Sequence, residues 1–146
     1  MATAQSKAHV DWSGDLLQGN GQVSAGSGSF GPLPISWRTR TERGGGGTSP
    51  EELIAAAHAG CYAMALSNTL AKHGSPPENL SVDATCNFEF GEGGARITSI
   101  DLNVTGRVPG LSEEEFKSIA EEAEKGCPVS NALRNNVEIR LSAQLA

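Results

Sequence analysis

Apolar and polar positions alternate between Lys7 and Trp12, with Ala8, Val10 and Trp12 on one side and His9 and Asp11 on the other. A period of two predicts a short strand. Turn residues fill positions 14–21, and a weaker alternation over 22–25 predicts a second strand, so the two read as a hairpin. Residues 27–34 form a Gly/Pro loop. A third alternation sets Ile35, Trp37 and Thr39 against Ser36, Arg38 and Arg40 and predicts a strand over 35–41. The run Arg43-Gly-Gly-Gly-Gly that follows reads as a flexible connector. A phosphate cradle is not supported there, because the P-loop lysine is missing and Glu51 and Glu52 would repel an anion at the next helix start.

The pattern then changes. Over 48–67 the sequence is T-S-P-E-E-L-I-A-A-A-H-A-G-C-Y-A-M-A-L-S, with almost nothing polar after the first turn. Ser49 is the predicted N-cap, Pro50 occupies the first helical position, and Glu52 completes a Ser-x-x-Glu capping box. The helix is expected to run to about His73, with Gly74 as its left-handed stop and Pro76-Pro77 preventing any resumption. It is nearly uncharged from Leu53 to Leu70, so burial on most faces is expected. One small domain can hardly cover such a helix on every side, which points to an obligate dimer.

Period two returns over 80–90, with Leu80, Val82, Ala84, Cys86, Phe88 and Phe90 facing one way. A glycine turn at 91–94 leads into a longer strand over 96–108, with Ile100, Leu102, Val104 and Val108 inward. Ser112 opens a second helix with a capping box to Glu115 and an apolar face of Phe116, Ile119, Ala120 and Ala123. Gly126 ends it, a short proline-started helix over 128–134 follows, and a strand over 137–145 closes the chain. Strands grouped as hairpins and separated from helices predict an α+β fold with largely antiparallel sheets packed around the long central helix. The 146 residues are expected to form one domain, 1–146.

Composition narrows the function. Hydrophobic content of 38% and charged content of 19% describe a globular chain. A net charge of −6 argues against a nucleic-acid partner. No apolar leader opens residues 1–10 and no run reaches the ~18 apolar residues of a membrane span. The expected compartment is the cytoplasm, where thiols stay reduced. Three cysteines, an odd number, speak against a structural disulfide framework. His9, His58 and His73 do not sit at zinc-ligand spacing with them, so no metal and no cofactor is expected.

Cys86 lies on an apolar strand face and reads as a small buried hydrophobe. Cys61 sits in a small-residue helical run, where packing and chemistry both remain open. Cys127 lies in Gly-Cys-Pro, fixed by backbone geometry before a proline-started helix. Cys61 is about three turns into its helix, beyond the reach of the helix dipole, so a reactive thiolate there needs a cation. The candidates are Arg38, Arg40 and Arg43, or else these three form a solvated edge.

These segments resemble the OsmC/Ohr family of thiol-dependent hydroperoxide reductases. The likeness rests on Pro-Glu-Glu-Leu, Ala-Ala-His-Ala-Gly-Cys and Met-Ala-Leu-Ser within 48–67, and on Gly-Cys-Pro-Val-Ser-x-x-Leu within 125–133. The opening Ala-His-Val-Asp-Trp-Ser-Gly-Asp fits as well, so the resemblance spans essentially the whole chain. His58 and the Pro-Val-Ser after Cys127 favour the OsmC branch over the Ohr branch. The resemblance implies an intertwined α+β homodimer with two interfacial active sites. It implies Cys61 as peroxidatic cysteine, Cys127 as resolving cysteine, Arg40 as the cation and Glu51 as its carboxylate partner. Its loop between Arg40 and Thr48 is more glycine-rich than the family's, which keeps Arg38 and Arg43 as competitors for the arginine role.

The implied roles are chemically coherent. A Cys61 thiolate attacks the terminal oxygen of an organic hydroperoxide, and more weakly hydrogen peroxide, and becomes a sulfenic acid. Arg40 stabilises thiolate and leaving oxygen, and Glu51 holds the guanidinium. Cys127 condenses with the sulfenic acid, and an external dithiol, lipoyl-type or thioredoxin-type, reduces the disulfide. Ile54, Tyr62 and Leu66 are candidates to line the site. Glu51 and Cys61 are ten residues apart on one helix, about 15 Å, so one arginine cannot readily serve both within a chain. The expectation is that Arg40 and Glu51 reach Cys61 from the other subunit. The rival readings are a redox-sensing module switched by the same disulfide, and a small-ligand binder in which Cys61 only packs.

Overall fold

The chain opens with β1 (Ala8–Ser13), β2 (Asn20–Ala25) and β3 (Leu33–Ile35), joined as an antiparallel sheet in the order β1-β2-β3. The computed structural model describes residues 1–42 and 45–146, so Arg43 and its neighbour Gly44 lie outside the described residues. Two units emerge, Met1–Leu53 and Ile54–Ala146. In the first, the expected hairpin is present with Val10 opposite Val23.

The strand expected over 35–41 is not formed. β3 ends at Ile35, and Trp37–Thr41 is a short helix, α1. Ser36 explains the switch: its hydroxyl accepts from Thr39 N–H at 3.1 Å while Thr39 Oγ1 accepts from Ser36 N–H at 2.8 Å. This reciprocal cap closes a turn that a strand would have to leave open. The glycine connector is also less free than expected at its end. Thr48 N–H donates to Pro34 O at 2.9 Å and bridges Ile35, and a Cβ at Gly47 would collide with the Pro34 carbonyl.

Helix α2 (Pro50–Lys72) is the predicted central helix. Ser49 Oγ accepts from Glu52 N–H at 3.0 Å, as expected of an N-cap. The Glu52 carboxylate, however, accepts from Thr48 Oγ1 at 2.7 Å. Gly74, at φ 82°, stops the helix, with Ser75 N–H donating to Leu70 O at 2.9 Å. Burial on most faces does not hold for one chain. Glu51, His58, Tyr62, Leu66 and Leu70 are buried, whereas Ala56, Ala57, Gly60 and Met64 are exposed. The helix is therefore buried along one stripe and exposes an uncharged one, Ala56, Ala57, Gly60 and Met64.

In the second unit, β4 (Asn79–Gly91) and β5 (Gly94–Arg107) form a long antiparallel hairpin. Helices α3 (Glu113–Gly126) and α4 (Pro128–Leu133) lead to β6 (Glu138–Leu145), which pairs parallel to β5. The sheet is thus mixed, where a largely antiparallel one was expected. The α3–α4 connection is a helical crossover, which permits parallel pairing. A register shift between Asn87 and Phe88 breaks the single face expected of β4, and Phe90 ends exposed. Tyr62, Leu66 and Leu70 pack with Ile100, Leu102, Val104, Phe116 and Ala120 into one core. Gly106 permits it: a Cβ there would strike the Phe116 ring. Among the described residues no helix is long and apolar enough to cross a membrane.

Candidate active site

Arg40 sits near the end of α1 and meets Glu51 in the first turn of α2. Its Nη2 donates to Oε1 at 2.7 Å and its Nε to the same carboxylate at 2.9 and 3.2 Å. Two donors on one carboxylate fix the plane of the guanidinium, not only its distance. Glu51 is 1% exposed and the Arg40 side chain 29%, so the carboxylate is buried while the guanidinium stays partly exposed. Trp37 lies against Arg40, 6.0 Å from ring centre to Cζ. The same cation borders an apolar cavity of ≈ 250 Å³ lined by Val10, Trp12, Leu16, Ile35 and Trp37. Arg38 has a different environment: it is exposed and pairs with Glu42 at 3.0 Å along the helix. Arg43, the third candidate, lies outside the described residues.

The thiols meet in the second unit. Cys61 Sγ and Cys127 Sγ are 3.5 Å apart although 66 residues separate them. Cys127 is the corner residue that caps both α3 and α4 and is fully buried, whereas Cys61 is partly exposed. A reagent from solvent therefore reaches Cys61 first. Burial pushes the Cys61 thiol up, the Val129 N–H pulls it down, and the Cys127 thiol raises it further. The net direction is upward and none of these influences is a cation. Cys86, 7% exposed, belongs to the hydrophobic core. Tyr62 and Leu66 are wholly buried there too, so neither lines an open site as expected from sequence. The Tyr62 hydroxyl donates to Ala120 O at 2.9 Å, and burial raises its pKa.

Two polar contacts beside the thiols had no counterpart in the sequence reading. His58 Nε2 lies 2.7 Å from Ser130 Oγ, both fully buried. Arg134 donates to both oxygens of Glu124 at 3.1 Å and to its backbone carbonyl at 3.2 Å. His58 precedes Cys61 by three residues and Ser130 follows Cys127 by three, a spacing that sets each beside its cysteine on a helix. That symmetry was the available signal. Among the described residues no group of three or more His, Cys, Asp or Glu side chains converges as a metal would require.

A family profile described as OsmC-like protein matches residues 43–142. The chain belongs to the OsmC-like family. Within it, Peroxiredoxin OsmC of Escherichia coli (strain K12) is 41% identical over 143 residues, 98% of each chain. The organic hydroperoxide resistance protein of Xanthomonas axonopodis pv. citri is 33% identical over 100 residues, 68% of each chain. In structure, the organic hydroperoxide resistance protein OhrB of Bacillus subtilis superposes with a TM-score of 0.75 at 25% identity, covering 94% of this chain and 98% of its own. An OsmC protein of Legionella pneumophila gives 0.72 at 26% identity and 99% coverage of both. The α+β expectation and the OsmC-like resemblance both hold.

Proposed function

We propose that this OsmC-like chain is a cysteine peroxidase that reduces organic hydroperoxides, and hydrogen peroxide more weakly, in the response to oxidative or osmotic stress. The observation that carries the reading is the partly exposed Cys61 with a buried Cys127 at 3.5 Å, in a chain whose relatives are named for this activity. The difference in exposure supports the roles of this reading. Cys61 meets the peroxide oxygen and becomes the sulfenic acid; Cys127, shielded from solvent, is left to resolve it. An external dithiol, lipoyl-type or thioredoxin-type, then reduces the disulfide by exchange.

Cys61 needs a cation to ionise near neutral pH, because its surroundings in the second unit hold it as the thiol. Arg40, held by Glu51 and partly exposed, is the cation of this reading. The protein acts as a homodimer, and the partner's Arg40 and the partner's Glu51 serve Cys61. The exposed Ala56, Ala57, Gly60 and Met64 face of α2 supports a second subunit, since it is uncharged and exposed in one chain, with Met64 71% exposed. The working compartment is the cytoplasm, which supplies dithiol reductants.

The test is intact-mass analysis after cumene hydroperoxide, on wild type, Cys61→Ser and Cys127→Ser. Loss of two hydrogens is expected only when both cysteines are present, and Cys127→Ser should stall as an oxidised Cys61. A wild-type chain that consumes no peroxide, or a disulfide that includes Cys86, overturns the reading. Many equivalents consumed per chain in the presence of a dithiol separate an enzyme from a single-use sensor.

A further inference from the structure

The resolving step needs a wholly buried cysteine to reach a partly exposed one. The two sulfurs stand 3.5 Å apart, and a disulfide requires about 2.05 Å. Once Cys61 carries an oxygen, the Sγ–Sγ contact no longer holds α4 in place. Another tether must keep Cys127 in register through that interval.

Resting on the peroxidase reading above, we infer that the buried His58–Ser130 hydrogen bond positions Cys127 for the resolving step by latching α4 onto α2. His58 stands one turn before Cys61 on α2, and Ser130 one turn after Cys127 on α4. The contacts at 3.5 and 2.7 Å therefore lie side by side, one reactive and one not. On its other flank α4 is tied to α3, through Arg134 to Glu124 and through Asn131 Nδ2 to Lys125 O at 3.0 Å. Ser130 supplies the side-chain tie to α2. Its geometry also selects the tautomer. Among the described residues His58 Nδ1 is buried with no hydrogen-bond partner. An orphaned N–H there would cost more than an orphaned lone pair, so Nε2 carries the proton and donates to Ser130 Oγ. Burial lowers the His58 pKa and keeps the ring neutral, which suits a latch rather than a proton carrier.

The chemistry held in register is balanced. Cys127 Sγ displaces the hydroxyl of the Cys61 sulfenic acid, the S–O bond breaks, the S–S bond forms, and the thiol proton leaves with the hydroxyl as water. The latch touches neither reacting atom, so His58 and Ser130 are positioning residues.

The experiment is single-turnover oxidation by cumene hydroperoxide of the full-length chain, quenched and read by intact mass, for wild type, His58→Leu, Ser130→Ala, the double variant and His58→Gln. Peroxide consumption reports attack by Cys61; disulfide against dimedone-trapped sulfenate reports resolution. Peroxide consumption is expected to stay within about twofold of wild type, while disulfide formation slows about tenfold in His58→Leu and Ser130→Ala, the scale of one lost buried hydrogen bond. The double variant should be no slower than either single one, since both remove the same bond. His58→Gln, which keeps a donor near the Nε2 position, should recover most of the rate. Resolution at the wild-type rate in Ser130→Ala overturns the latch, as does His58→Gln as slow as His58→Leu, which would make side-chain shape the cause. A wild-type chain inert to peroxide overturns the peroxidase reading instead, so the two failures are distinguishable. Thermal melts of each variant separate slow resolution from unfolding.

Discussion

The ion pair at the start of α2 and the thiol pair at its middle are built by opposite means. Arg40 and Glu51 join through three directed hydrogen bonds from two donors inside the first unit, and the two residues are 11 positions apart in sequence. Cys61 and Cys127 join across 66 residues inside the second unit, in apolar surroundings that keep the thiol protonated. The first region holds an arginine whose plane a buried carboxylate fixes. The second holds two thiols, with no cation among the influences on Cys61. In the proposed reaction each region supplies what the other lacks.

Removing the cation is the strongest way to sharpen that contrast. Arg40→Met should lower kcat/KM for cumene hydroperoxide by about 10²–10³-fold, the scale of a lost oxyanion donor. Arg38→Met, on the exposed side of the same short helix, should change it little. Equal losses in both variants would move the assignment away from Arg40. Subunit mixing then decides where the cation acts. Cys61→Ser and Arg40→Met chains, each inactive alone, are co-refolded at equal ratio. With shared sites, half the dimers are mixed and each carries one intact site, so about a quarter of wild-type activity returns. With Arg40 acting inside its own chain, none returns.

The same contrast explains what sequence could show. Helices α2 and α3 were legible because period, cap and stop agree: Ser112 with Glu115, the buried row from Phe116 to Ala123, and Gly74 at positive φ. Residues 35–41 misled because their period of two competes with the Ser36–Thr39 cap, and the cap won over a short span. Parallel pairing of β6 with β5 was not legible, since strand direction is set by the α3–α4 crossover and not by alternation. The cysteine pair was suggested by resemblance, and spacing alone could not bring it together. The Arg40–Glu51 contact was likewise carried by resemblance, although Arg40 proved to be on a helix. His58 could be placed on the buried stripe with Tyr62, Leu66 and Leu70, yet its partner Ser130 belongs to a segment whose docking no local pattern encodes.

A second test asks whether the ion pair also serves the fold. Glu51→Gln leaves a neutral amide at a position that is 1% exposed, facing the Arg40 guanidinium. Breaking a largely buried pair from one side should cost about 2–4 kcal/mol, read as a lower urea midpoint at unchanged slope. Activity should fall less than in Arg40→Met, because the cation remains but loses its fixed plane. A variant as stable as wild type would mean that Glu51 orients Arg40 without supporting the unit.

The smallest effect should come from the thiol side, through His58. Burial lowers its pKa in the folded chain, with Glu124 opposing and Arg134 reinforcing the shift. The unfolded chain takes up a proton as pH falls through about 6.5, the ordinary imidazole value, while the folded chain does not until lower pH. The unfolded state therefore binds more protons in that window, and stability decreases as pH drops below about 6.5 and is fully present above it. Melting temperatures of wild type and His58→Gln at pH 7.5 and pH 5.5 measure this. The wild type should lose more on acidification than the glutamine variant, since only its side chain must be kept neutral. Parallel losses in the two proteins would show that His58 is not the source of the acid sensitivity.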